Sequence, residues 1–578
     1  MHNDRRKYVR ISTVLPIEFC ILDENGKQIT PWLQGFTHDI SRGGLRLIVN
    51  DLWQGILEKL NHKNTKILLR INLFFNKKTI TTTAVIVWTR QEKLQSFYRY
   101  HLGLEIINKN TKEVNELFSY ALFNKFTPKL VTASIIILVI FSATLFLRAA
   151  MLTVENRNLV KKYVAILEKS SNLKAKGGNV TKEIAALDEE RRKISKQIID
   201  GVYLWIKNRQ DLISGLVLSY EGDQSLKKTS FTYDQALAVI VFTIFKDNRR
   251  AEKILDFYLA KVNKGENICN AYYTQGDCAE YIVHSGPNAW LGLAVLDYYK
   301  ATNNPKYLPI AEKVAGFLLS MMDSEGGIKG GPTVSWYATE HNLDAFAFFD
   351  SFYKITKNQK YLEARDKIKH WIEKYAYTTY GPPVQRGKGD STIATDTYAW
   401  SIAAFGPEEL SSMKMNPERI VDFAVQNCEA QVTFRRKEGE VQVKGFDFAK
   451  ARNCARRGVV SCEWTAQMIL SFEIMADYYK TSDINKYKYY LSQSIFYFTE
   501  LQKMLITSPS KIGREDPCFP YASSASVDTG HGWRTPEGNT TGSLSSTAYF
   551  LIAYKGYNPL RGEYLNEVAT FQASSGAR

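Results

Sequence analysis

Four polar side chains, Asp234, Asn288, Asn342 and Asp396, follow one another at steps of 54 residues, each heading a run rich in Ala or aromatic residues. A unit of that length cannot bury its own apolar face, so copies must stack on one another. The four heads are Thr232-Tyr-Asp234-Gln-Ala-Leu-Ala, Gly286-Pro-Asn288-Ala-Trp-Leu-Gly, Glu340-His-Asn342-Leu-Asp344-Ala-Phe and Thr395-Asp396-Thr-Tyr-Ala-Trp400. Two more, Cys462-Glu463-Trp-Thr-Ala-Gln and Gly542-Ser543-Leu-Ser-Ser-Thr-Ala, follow at steps of 67 and 80, which leave room for insertions. Ser and Thr suit helix N-caps and Pro287 suits a first turn, so the heads are read as helix N-termini. A helix end, a polar turn and a helix start also recur, as in Thr302-Asn-Asn-Pro-Lys-Tyr307 and Thr356-Lys-Asn-Gln-Lys-Tyr361. Six nearly apolar helices alternating with amphipathic ones predict an inner ring wrapped by an outer ring, an all-α (α/α)6 barrel over residues 201–565 with a tail at 566–578.

Such a ring would bring its helix heads into one mouth. There it would gather Tyr233, Asp234, Trp290, Trp336, Tyr337, Glu340, His341, Asp344, Asp396, Trp400, Glu463, Trp464, His531 and Trp533. Carboxylates beside flat aromatic faces are what glycan chemistry requires: an acid for the leaving oxygen, a base or nucleophile, and rings to hold sugars. Asp234 and Glu463, each opening an apolar helix where a charge is costly, are the first candidates for acid and base; capping their helices is the competing role. Glu340-His341 forms a second proton-transfer pair, suited to an epimerase or lyase, with a structural histidine as the alternative. Asp396 joins the catalytic candidates, and the alternative for Asp396, as for Asp344, is to bind sugar hydroxyls or a cation. Trp290, Trp336, Trp400, Trp464, Trp533, Tyr233 and His531 are candidate substrate contacts, and each Trp could equally be core. With the loops Gly326-Gly-Ile-Lys-Gly-Gly-Pro332, Phe519-Pro-Tyr-Ala and Thr529-Gly-His531-Gly-Trp533-Arg-Thr-Pro536, the region resembles six-hairpin glycosidase-like toroids. That resemblance implies the fold and a sugar-related role without fixing the reaction.

The amino-terminal part carries Arg6-Lys-Tyr-Val-Arg10 and, about thirty residues on, Asp39-Ile-Ser41-Arg-Gly-Gly44. Two guanidinium forks four residues apart suit phosphates and purine edges, and an Asp-x-Ser turn with glycines allows close approach. Short β-branched runs follow, at Leu45-Arg-Leu-Ile-Val, Lys66-Ile-Leu-Leu-Arg-Ile-Asn-Leu and Thr81-Thr-Thr-Ala-Val-Ile-Val-Trp88, with a closing strand expected from Tyr98 to Ile106. Both motifs resemble those of the PilZ family, small β-barrels that bind cyclic di-GMP. The resemblance covers residues 1–125 and implies that Arg5, Arg6 and Arg10 clamp the nucleotide, with Asp39, Ser41 and Gly44 completing the site.

Between these regions, Leu130 to Leu147 holds eighteen residues without a charge and continues past Arg148 through Ala-Ala-Met-Leu-Thr-Val. With Arg148 snorkelling, residues 130–154 are long enough to span a bilayer once. Residues 1–10 are polar and basic, so no cleavable signal is expected. Lys and Arg within twenty residues number three before and four after the run, which leaves the positive-inside rule undecided. A PilZ-like domain implies a cytoplasmic amino terminus in a bacterial inner membrane, and the cysteines agree. One, Cys20, precedes the run; six follow it, and an even count is compatible with periplasmic disulfides. Cys269 with Cys278 and Cys454 with Cys462 are the nearest pairs. No CxxC spacing occurs, so no metal site is expected.

Residues 155–200 read as a helical linker. Ile184, Leu187, Arg191, Ile194 and Ile198 keep a heptad rhythm that allows a weak homodimer or a helix packed on the next domain. A net charge of +16 favours phosphate-rich or anionic partners, but no basic groove interleaved with aromatics supports nucleic acid. Taken together, the sequence predicts a single-span cyclic di-GMP receptor whose periplasmic toroid hydrolyses or otherwise modifies a polysaccharide. The rival is a non-catalytic glycan-binding or exopolysaccharide-secretion assembly protein. A toroid handling isoprenoid lipids fits the shape but lacks a metal-binding set.

Overall fold

The computed structural model describes residues 8–50, 52–60, 65–73, 78–93, 98–109, 111–175, 181–437, 439–509, 515–538 and 540–565. The chain divides into two compact units, residues 1–147 and 148–578.

In the first unit, β1 (Ile11–Ser12), β2 (Pro16–Leu22), β3 (Leu33–Ser41), β4 (Gly44–Asn50), β5 (Lys66–Leu73), β6 (Lys78–Lys93) and β7 (Tyr98–Ile106) are joined antiparallel, with α1 (Gln54–Leu60) inserted. The order β3-β2-β5-β6-β7-β4 closes because β4 pairs back onto β3, so six strands form a barrel to which β1 adds an edge. Alternation fills the interior: Ile17, Phe19 and Ile21 of β2 meet Ile67, Leu69 and Ile71 of β5 and Leu45, Leu47 and Val49 of β4. The first turns of α2 (Lys112–Ala175) add Val114, Leu117 and Ala121 to that core at helical spacing.

Further along, α2 carries Leu130–Ser170, the one helix among the described residues long and apolar enough to cross a membrane. Its last part belongs to the second unit.

In that unit the inner helices are α4 (Thr232–Ile244), α6 (Ser285–Thr302), α8 (Thr339–Thr356), α10 (Thr395–Ser412), α12 (Cys462–Tyr479) and α14 (Leu544–Lys555). Each packs on the next and α14 returns to α4, closing the ring. The outer helices α5 (Asn248–Asn263), α7 (Leu308–Met321), α9 (Gln359–Tyr375), α11 (Pro417–Cys428) and α13 (Ile484–Gln502) each pack on the inner helix before them, and α3 (Thr181–Asn208) packs on α14. The expected all-α toroid is present.

One open choice is decided and one expectation is corrected. Of the two readings of residues 155–200, the helix packed on the next domain is the one present, because Val160, Tyr163, Val164 and Leu167 of α2 and Ile198 and Ile199 of α3 are buried in the toroid core. Ile194 packs on the same core, so the described part of the heptad seam is spent within the chain; the side chains of Ile184 and Leu187 lie outside the described residues. Cys454 and Cys462 are both unpaired. Cys462, opening α12, turns into the core, 3.6 Å from the Met504 sulfur, whereas Cys454 sits in a loop against Gly530.

Cys269 and Cys278 do form a disulfide. It closes a loop with a sequence separation of 9. Closing so short a loop is worth about 2–3 kcal/mol. Reductant should therefore lower the melting temperature of the full chain in detergent, and the Cys269→Ala/Cys278→Ala variant should melt at the reduced value with no further response.

Candidate functional site

Each inner helix begins with a small hydroxyl or apolar residue turned away from the axis. In four of them that hydroxyl ties one repeat to the next: Thr232 donates to the Cys269 carbonyl (2.6 Å), Ser285 to Lys329 (2.5 Å), Thr339 to Gln385 (2.6 Å) and Thr395 to Asp447 (2.5 Å). These tie points define the structural register, and they are spaced 53, 54 and 56 residues apart, not at a constant 54. Asn288 and Asn342 are thus equivalent to Gln235 rather than to Asp234. All three are structural: Gln235 exchanges bonds with the Val217 backbone (2.7 Å each way), Asn342 accepts from the Ile328 N–H (2.7 Å), and Asn288 donates to the His284 carbonyl (2.8 Å).

The second residue of each inner helix faces the axis. In ring order these are Tyr233, Gly286, Glu340, Asp396, Glu463 and Ser545. Tyr233 donates to Glu463 (2.6 Å) and Ser545 hydrogen-bonds the same carboxyl, while Glu340 and Asp396 hydrogen-bond each other. One turn deeper lie Leu237, Trp290, Asp344, Trp400, Gln467 and Tyr549. Trp290, Trp400 and Tyr549 crowd together, with ring centroids 5.7–6.3 Å apart, and close the axis beneath the carboxyls.

Burial sets the protonation of this site. Glu463 is driven up to about 7, first by burial, against the bonds from Tyr233 and Ser545. Asp234, one residue off the axial position and 3% exposed, rises to about 8, mainly through burial. Glu340 goes well above the usual carboxylate range through burial and then through Asp396 and Asp344. Asp344 is also raised well above that range; both its oxygens are buried without a hydrogen bond, with the Trp290 and Trp400 indoles beside it but outside bonding geometry. Burial lowers His341 to about 3, helped by His284 and Arg386, so its imidazole is neutral. His531 is lowered by the same cause, and its Nε2 donates to the Phe448 carbonyl (3.3 Å). Its Nδ1 is left as an acceptor 3.9 Å from Asp396. Asp396 is thus hydrogen-bonded to Glu340 on one side and faces His531 across 3.9 Å on the other, beyond hydrogen-bond reach; Glu340 is half-buried, while Asp396 is 2% exposed.

At the rim, Trp336 and Trp533 are each 45% exposed. Trp336 stands 5.5 Å from the His341 ring, which fills the gap left by Gly286, and Trp533 stands 5.3 Å from His531. Trp464 is buried against His531 and Phe448, so it supports His531 instead of offering a face. Trp290 and Trp400 are likewise floor, not platform.

In the amino-terminal barrel, β3 and β4 bring Asp39 opposite Arg46 beside a bulge between Thr37 and Asp39. Asp39 accepts from Arg10 (2.8 Å) and pairs with Arg46 (2.6 Å) and His38 (3.1 Å). Burial opposes its ionisation, but the His38 bond and the two guanidinium charges outweigh that and hold the carboxyl below its ordinary value. Ser41 donates to the Gly44 carbonyl (2.9 Å), and a Cβ on Gly44 would lie 2.0 Å from the Leu104 carbonyl, so only glycine fits. Residues 4–123 match the PilZ domain.

Within that PilZ region, Arg10, Asp39, Ser41 and Gly44 come together as the motifs require; Arg5 and Arg6 lie outside the described residues. No curated protein matches the chain in sequence. Among solved structures it is similar to a glycosidase in complex with glucose (TM-score 0.43, 11% identity, 62% of this chain and 95% of that one). It is also similar to cellobiose 2-epimerase from Bacillus thermoamylovorans B4167 (0.43, 10%, 62% and 98%). A third is an alpha-1,6-mannanase from Salegentibacter sp. HEL1_6 (0.41, 12%, 63% and 98%).

Sequence reasoning missed Ser545, which lay in a quoted head, and Tyr549, which directly follows it; they look like ordinary small and core residues. It also missed Arg386, whose charge reaches Glu340, His341 and His531 from a loop with no repeat signature. A cavity of about 360 Å³ lies at the opposite end of the barrel, among the carboxyl ends of α10 and α12 and residues 558–565, away from every one of these groups.

Proposed function

We propose that the chain is a membrane-anchored cyclic di-GMP receptor whose toroid, on the periplasmic side, cleaves or otherwise modifies a polysaccharide. The observation that carries the glycan reading is the ring of Glu340, Asp396 and Glu463, the first two hydrogen-bonded to each other, opening between two exposed tryptophans. Glu340, whose burial and carboxyl neighbours favour the protonated form, supplies the general acid. Asp396, hydrogen-bonded to it, takes part in restoring its proton, and Glu463, poised near neutrality, is the base or nucleophile. Trp336 and Trp533 hold sugar rings on either side. Asp234 supports the site from beside the axis. The disulfide and the apolar stretch of α2 favour a toroid outside the cytoplasm.

Full-length chain in detergent, challenged with glucans, uronate polymers and amino-sugar polymers, tests this. New reducing ends or altered sugars support an enzyme. Binding without turnover favours a glycan-binding assembly module, and the closely packed floor beneath the ring is the observation on that side.

For the amino-terminal site, Arg10→Ala should weaken cyclic di-GMP binding about tenfold or more, since a charge-assisted bond is worth about 1.5–3 kcal/mol. Calorimetry on the full chain reads this directly, and unchanged affinity would remove Arg10 from the site.

A further inference from the structure

Leu212 and Ile213 are 87% and 96% exposed, side by side at the tip of the turn after α3. The turn does not require them. Asp211 caps it by accepting from the Ile213 and Ser214 N–H groups (2.9 and 2.8 Å), and Gly215 (φ 78°) closes it where a Cβ would lie 2.6 Å from the Lys253 carbonyl. The turn after α7 is a related Asp-capped, Gly-closed turn, one residue shorter between its bridging residues. Asp323 accepts from Glu325 and Gly327 (2.9 Å each), and Gly326 (φ 93°) closes it with a Cβ 2.5 Å from the Lys367 carbonyl. There the corresponding residues are Ser324 and Glu325. One architecture therefore carries a polar tip in one repeat and an apolar tip in the repeat beside α2.

The position of that apolar tip says what covers it. α2 and α3 run antiparallel, Tyr163 meeting Ser195 (3.4 Å) and Lys162 meeting Glu190 (2.8 Å), while Arg157 is held by Glu515, two residues from the Pro517 that touches Gly201. On that register Arg148 is level with about residue 209, and the tip lies further along in the same direction. Arg148 is the residue that ends the uncharged run. Basic side chains flank the turn: Lys253 touches Gly215, and exposed Arg249 stands one turn before it on α5.

We propose that Leu212 and Ile213 insert into the bilayer surface where α2 enters it, with Arg249 and Lys253 against anionic headgroups, a second contact that fixes the toroid on the membrane. This rests on the membrane reading of α2.

The test places an environment-sensitive fluorophore on Leu212→Cys or Ser324→Cys in the full chain, reconstituted in phosphatidylglycerol and phosphatidylethanolamine vesicles with doxyl-labelled lipid. Identically treated wild type sets the background. Quenching at position 212 should exceed that at position 324 by about threefold or more, with a blue-shifted emission. Equal quenching in chain that floats with the vesicles overturns the contact while leaving the anchor intact. Chain that fails to float overturns both. Shielding that persists in detergent and grows with protein concentration assigns the pair to a second copy and also overturns the contact.

Discussion

Glu340→Gln is expected to lower glycan turnover by about 10²–10⁴-fold while leaving glycan binding within a few-fold, because the amide keeps the shape and loses the proton. Glu340 is half-buried whereas Asp396 and Glu463 are buried, and burial together with Asp396 and Asp344 raises its pKa well above the ordinary carboxylate range, which favours the protonated form. Glu463→Gln should lower turnover to a similar degree, but with a different profile: its pKa of about 7 makes it half ionised near neutrality, so the residual rate should lose the acidic limb that wild type shows. Asp234→Asn, off the axis, should be milder. Equal loss in all three variants would point to structural damage instead of chemistry. The same groups set a stability trend with a definite sign. Asp234 and Glu463 carry folded values of about 8 and 7 against ordinary values of 3.8 and 4.5, so the native state binds more protons than the unfolded one between those limits. Stability therefore falls as pH rises from about 4 to 8, and the melting temperature should be higher at pH 5 than at pH 8.

The fold was legible in the sequence wherever periodicity spoke. Helix heads with Ser, Thr or Cys marked the inner ring, and β-branched alternation marked the barrel. The constant step of 54 was right about the architecture and misleading about the register, because loop lengths differ and shift Asp234 away from the axial position that Tyr233 occupies. Glu340, Asp396 and Glu463 could be listed from sequence but not ranked, since rank depends on which second residue meets which across the ring. Linker and core could not be told apart over residues 155–200 either. Both use Ala, Leu, Lys and Glu at helical spacing, and only the presence of Gln502 and Ser195 against Tyr163 decides the matter. The pairing of Cys269, and not of Cys454, was equally open, because both pairs are short in sequence and only the direction of Cys462 into the core separates them.

Asp447→Ala should cost about 3–5 kcal/mol and loosen the placement of Asp396 and His531, although Asp447 touches none of the axial carboxyls. Its side chain is 2% exposed and bonds both terminal nitrogens of Arg456 (2.8 and 2.7 Å) and the Phe448 and Val459 N–H groups (2.7 and 3.0 Å). Its own carbonyl receives Thr395, the first residue of the helix that presents Asp396. The next residue, Phe448, packs on Trp464 and Tyr521 and accepts the His531 bond that leaves Nδ1 facing Asp396. Removing the carboxylate strands a guanidinium that is only 11% exposed and two N–H donors, which is where the free energy is lost. Thermal unfolding of Asp447→Ala, Arg456→Met and the double variant separates the effects. If the double variant is closer to wild type than the sum of the singles, the cost lies in the orphaned partner. A melting temperature unmoved by Asp447→Ala would remove this residue from the frame that holds His531 to Asp396.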